Sequence, residues 1–120
     1  MSELGGDKAL FLRNSRDIDY VKQHGRRIST ALFNLLVCRT AVSGGQVGII
    51  VGRRFGNAVR RNRAKRIFRE LTRQVRADLL SEQAVLVFPK RDALNQPFAV
   101  LKEAWRLSLT RQHVLRTQED

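Results

Sequence analysis

Apolar residues recur along this chain at helical spacing in three places and as short strand-like runs in three others. Residues 15–24 place Ile18 and Val21 three apart, put Asp17 and Asp19 near the positive end of the segment, and stop at Gly25, which predicts a short amphipathic helix. Residues 28–38 are rich in apolar and β-favouring side chains, and Ser43-Gly44-Gly45 follows as a turn before the apolar run 47–51. An antiparallel hairpin is the simplest account of that pattern. Asn57 can cap a helix running to about Leu80, with no Gly or Pro inside it and a hydrophobic period near 3.6. Residues 84–88 form a continuous apolar run ended by Pro89, as expected of a strand buried on both faces. A final helix is predicted over 96–114, with Val100, Leu101, Trp105, Leu107, Leu109 and Val114 as its apolar contacts.

The predicted order is therefore αββαβα, an α+β single-domain two-layer sandwich with helices laid against one sheet. Residues 1–11, which contain Gly5-Gly6, read as a loosely held arm, and 116–120 as a frayed tail. Gly48, Gly52 and Gly56 recur at four-residue spacing, which in a strand-like setting marks backbone freedom and strand ending. The length of 120 residues fits one domain, since two cores would each be too small.

Charge changes the picture more than composition does. Lys and Arg total 23 against 11 acids, a formal net charge of +12, and 18 of the basic residues are Arg. An imbalance of that size calls for a polyanionic partner. The Arg bias favours nucleic acid, because a planar guanidinium can fork onto phosphate or stack on a base. Cys38 stands alone in an apolar run, so no internal disulfide forms and a buried, inert thiol suits a reducing cytosol. No apolar stretch approaches the ~20 residues that span a bilayer, and the N-terminus lacks the basic-then-apolar order of a signal peptide.

The charge is concentrated. Residues 53–76 hold ten basic residues and one acid, Glu70. At about 100° per residue, Ala64, Ile67, Phe68, Leu71, Val75 and Leu79 fall within an arc of roughly 120°, with Lys65, Arg66, Arg69, Arg73 and Arg76 opposite. Arg60, Arg61 and Arg63 lie in the first turns, where unpaired backbone N–H groups also favour phosphate, and Arg53 and Arg54 come just before. A merely solvated face would intersperse acids among its arginines, and this one has almost none.

The segment from Gly56 through Asn57, Arg60, Arg61, Asn62, Arg63, Ala64, Lys65 and Arg66 to Arg69-Glu70 resembles the signature of the bacterial ribonuclease P protein family. The element order, from the first helix ending His24-Gly25 to the last strand and helix, is similar over nearly the whole chain. The resemblance implies a ribosomal-protein-S5-like fold with a left-handed βαβ crossover, a hand that general rules would argue against. It implies a protein that assembles with a catalytic RNA to remove the 5′ leader of precursor tRNA, the RNA performing the hydrolysis with its Mg²⁺. The family's RNA contacts map here onto Arg53, Arg54, Asn57, Arg61, Asn62, Arg63, Lys65, Arg66 and Arg69, with Arg60 and Arg73 on the same charged surface. The family's leader cleft, between first helix and sheet, implies Ile18, Tyr20, Lys22, Phe33 and Leu36. Ile18 and Lys22 stand where the family often has Phe, and Phe33 suits ordinary core as well as a leader contact.

No protein-based catalytic centre is visible. Clustered carboxylates for two metals, a His pair and a P-loop are all missing, and His24 and His113 have nothing in the sequence to pair them. The expected partners are ribonuclease P RNA and precursor tRNA, with no membrane and a monomeric free protein. The alternative is a ribosomal or general structured-RNA-binding protein that uses the same basic helix as a clamp.

Overall fold

A computed structural model of the chain describes residues 10–39, 46–80 and 82–116. The first helix, α1 (Ser15–His24), is capped by Asn14, whose side-chain oxygen accepts from the amides of Arg16 at 2.8 Å and Asp17 at 3.4 Å. It ends where the Gly25 amide donates to the Val21 carbonyl, as the sequence predicts.

The run predicted as one strand is two. β1 (Arg26–Ser29) and β2 (Phe33–Arg39) are joined by a turn built on Thr30. Its hydroxyl donates to the Phe33 carbonyl at 2.6 Å and accepts from the Phe33 amide at 3.1 Å, folding the chain back on itself. The element order is thus αβββαβα, one strand more than expected.

β3 (Val47–Ile49) does not pair with β2. The sheet order is β1-β2-β4-β3, with β4 (Gln83–Pro89) antiparallel to β2 and parallel to β3. The expected hairpin of 28–38 with 47–51 is therefore replaced by β1 with β2. β4 takes the centre because its uninterrupted apolar run can bury both faces. The predicted turn Ser43-Gly44-Gly45 lies outside the described residues. β3, the helix α2 (Ala58–Gln74) and β4 form a βαβ unit between neighbouring parallel strands; its left-handed sense is an implication of the resemblance alone.

The two faces of the sheet bury different things. Phe33, Leu35, Val37, Val85 and Val87 point to α2 and α3 (Phe98–Arg111), where Phe33, Phe68 and Trp105 pack edge to face with centroids 5.5 to 5.8 Å apart. Each such pair adds about 0.5–1.5 kcal/mol beyond its buried area. Sheet, α2 and α3 make the two-layer sandwich, and α1 covers part of the other face through Val21 against Cys38, Ala84 and Leu86. A Cβ at Gly48 would come within 2.6 Å of Leu86 Cδ2 and 3.5 Å of Leu12, so a larger residue there would need the Leu86 side chain to shift.

Two boundaries move. α2 ends at Gln74 rather than near Leu80, because the Val75 amide turns to the Thr72 carbonyl and a 3-10 turn (Arg76–Asp78) follows. The chain must straighten there so that Leu79 can bridge to Leu115 and the Leu80 amide can donate to Val114. α3 begins only after Pro97, and its inner face is Leu101, Trp105 and Leu109; Val100 and Leu107, expected as contacts, are exposed.

The arm predicted over 1–11 is packed at its last residues. Leu10, Phe11 and Leu12 are buried, the Leu12 amide donates to the Val47 carbonyl at 2.8 Å, and the Gln46 amide donates to Leu10 at 2.9 Å. Residues 1–9 lie outside the described residues, as do 117–120 of the expected tail. Arg116 itself is held, its amide donating to the Asp78 carbonyl.

Candidate nucleic-acid interface

α2 starts from Asn57, whose Oδ1 accepts from the Arg60 amide at 2.9 Å. Asn57 and Arg61, expected to contact RNA, both hold the protein's own backbone: Arg61 Nη1 donates to the Gly56 carbonyl at 2.6 Å. Gly56 has φ 157° and ψ −165°, a conformation essentially restricted to glycine. The entering loop is thus fixed from both sides. Ahead of it, the 3-10 turn Arg53–Phe55 exposes Arg53 and Arg54, and Arg91 donates to the Arg54 carbonyl at 2.6 Å.

Ala64, Phe68, Leu71, Thr72 and Val75 are buried along the inner side of α2. On the outer side Asn62, Lys65, Arg66, Arg69 and Arg73 line one groove of about 320 Å³. Their spacing of three, four and seven residues makes a continuous stripe. Among the described residues no carboxylate lies in salt-bridge reach of Arg66 or Arg69, whereas Arg73 pairs with Glu70 at 3.5 Å. Arg73 also lies 5.7 Å over the Phe11 ring, which links the packed arm to this face. Arg60 and Arg63 do not join the stripe; they turn to the opposite flank of α2, towards the 3-10 helix Arg91–Asn95. Helical geometry at about 100° per residue could have shown that separation from the sequence.

The leader-cleft candidates divide. Ile18 and Leu36 pack with the α1-side cluster on the sheet face that α1 partly covers. Tyr20 is exposed and stacks on His24 at 4.2 Å, and Lys22 is also exposed on α1. Phe33 is not in the cleft: it is 0% exposed on the opposite face, against Phe68 and Trp105. The sequence missed Phe88, half-buried on the α1 side and paired in register with Asn34, whose Oδ1 is buried without a partner. Only the register could reveal this pair, since Phe88 ends a run that is apolar throughout.

The family model for ribonuclease P matches residues 7–113 of this sequence. The chain belongs to the ribonuclease P family. It is 29% identical over 119 residues to the ribonuclease P protein component of Syntrophus aciditrophicus, covering 99% of this chain and 100% of that one. It is 36% identical over 107 residues to the component from Chloroflexus aggregans, covering 88% and 78%. The solved ribonuclease P protein of Thermotoga maritima superposes with a TM-score of 0.72 at 27% identity, over 83% of this chain and 94% of that one. That of Staphylococcus aureus gives 0.74 at 21% identity, over 94% and 97%, which supports the shared fold. These matches do not favour the alternative of a ribosomal or general RNA-binding protein. Among the described residues no helix is long and apolar enough to cross a membrane.

Proposed function

We propose that this chain clamps the catalytic RNA of ribonuclease P through the α2 stripe and holds the 5′ leader of precursor tRNA on the α1 side of the sheet. The carrying observation is the stripe Asn62, Lys65, Arg66, Arg69 and Arg73, whose cations face outward with Glu70 as the one acid within the helix. Two RNA molecules repel each other, and guanidinium groups that neutralise phosphates release condensed counterions and let them approach. Hydrolysis in this reading belongs to the RNA and its Mg²⁺. Among the described residues no group of three or more His, Cys, Asp or Glu is placed to hold a metal ion.

On the other side, Ile18, Leu36 and Phe88 offer apolar and aromatic surface. Such a surface suits an extended single strand, whose bases stack with little dependence on sequence. Tyr20 and Lys22, exposed on α1, flank that path. The free protein acts as a monomer in the cytosol.

Reconstitution with a bacterial ribonuclease P RNA tests this. Adding the protein should restore cleavage of precursor tRNA at low Mg²⁺ and favour leader-bearing over mature tRNA. If rate and substrate affinity were the same with and without the protein, the proposal would fail.

A further inference from the structure

A second recess, of about 370 Å³, lies on the flank of α2 away from the stripe. Arg60 and Arg63 of α2 line one side, and Arg91, Asp92, Leu94 and Asn95 of the 3-10 helix Arg91–Asn95 line the other. Phe55, only 8% exposed, supplies apolar lining together with Leu94. The 3-10 helix is tied to the turn that carries Phe55 by the hydrogen bond from Arg91 to the Arg54 carbonyl at 2.6 Å. The recess is therefore framed by three separate elements rather than by one helix end.

Its chemistry differs from that of the stripe. A site for phosphate alone surrounds the anion with donors, whereas here a carboxylate and a carboxamide face the guanidinium groups across apolar surface. Asp92 would repel a phosphate but accept hydrogen bonds from N–H donors. An unpaired base satisfies all parts of the lining at once: its phosphate on Arg60 and Arg63, its ring against Phe55 and Leu94, and its edge on Asp92 and Asn95. Guanine is the base whose Watson–Crick edge carries two parallel donors, N1–H and N2–H, matching the two oxygens of one carboxylate. Its neighbouring O6 can accept from the Asn95 carboxamide. Uracil would set a carbonyl against the carboxylate, and adenine and cytosine each offer one donor beside an acceptor.

We infer that this recess takes one unpaired guanine of a bound RNA, with Asp92 as the residue that reads it. This rests on the RNA-binding reading of α2 and adds a position-specific contact to it.

The test titrates the full chain with GMP, CMP, AMP, UMP and inorganic phosphate, following the backbone amide signals of Phe55, Leu94 and Asn95 by NMR. GMP should shift these signals at about 5-fold or more lower concentration than the other nucleotides, the selectivity expected of one bidentate base contact. Asp92→Asn should remove that preference while leaving the rest of the spectrum in place. Equal response to all four nucleotides and to phosphate would make the recess a general anion site and overturn the inference, as would a GMP preference that survives Asp92→Asn. In binding assays, Asp92→Asn should weaken association with ribonuclease P RNA or with precursor tRNA, and the one affected supplies the guanine. If Arg66→Ala leaves RNA affinity untouched, the RNA-binding reading of α2 itself fails; if it weakens RNA while GMP shows no preference, only the guanine assignment falls.

Discussion

The Arg61 guanidinium and the Gly56 carbonyl oxygen meet at 2.6 Å, so an arginine within the charged segment is engaged in holding the loop that enters α2. Two neighbouring arginines therefore have different work. Arg61→Ala should lower folding stability by about 1 kcal/mol, the scale of one partly exposed hydrogen bond, as read from urea unfolding. Arg66→Ala should leave the unfolding midpoint in place, weaken RNA binding and reduce the slope of log affinity against log salt by about 1. Equal stability losses in the two variants would contradict this division.

Gly56 provides a second test of the same loop. Its φ of 157° disfavours any residue with a Cβ, and that atom would meet Arg60 Cδ at 3.3 Å. Gly56→Ala should cost roughly 1–3 kcal/mol and displace the start of α2. Wild-type stability with wild-type RNA affinity would show that the loop does not need this backbone shape.

Phe33 and Phe88 sit on opposite sides of the sheet and should respond differently. Phe33→Ala opens the three-ring cluster and should destabilise the fold by about 3–5 kcal/mol. Phe88→Ala should instead lower the preference for leader-bearing over mature tRNA, by up to the ~1–3 kcal/mol of one stacked base. Comparing unfolding midpoints with tRNA competition in both variants separates core from cleft.

Burial pushes the Cys38 thiol up. A thiol that stays protonated in the folded state and ionises more readily when unfolded contributes fully below its unfolded pKa, near ~8.5, and loses that contribution as pH rises towards the folded value. Urea midpoints should therefore fall between neutral and alkaline pH, and fall less in Cys38→Ala. Alkylation of Cys38 should be slow until the protein is unfolded.

The long helix was legible in the sequence because its period persists from Ala64 to Val75 while the opposite positions are basic. The turn at Thr30 was not, since it depends on one hydroxyl inside a run that otherwise favours a single strand. Strand order was hidden for a different reason. The apolar runs of β3 and β4 record burial, and burial does not name the neighbour; only the parallel register Val47 with Val85 does. The face of Phe33 was undecidable for the same cause, because Leu35, Leu36, Val37 and Cys38 are apolar in succession and leave no alternation to read. On the interface, the charge imbalance marked α2, but the recess with Asp92 needed residues some 30 positions apart to be brought together.

Leu10 to Leu12 run along β3 as a hem, with the Leu12 amide and the Leu10 carbonyl bonded to its outer margin. A short outer strand left bare would offer its unpaired amides and carbonyls to another copy of the chain. Trimming the protein back beyond Arg13 should therefore change its colloidal behaviour before its chemistry, producing self-association through the border that these residues stitch closed.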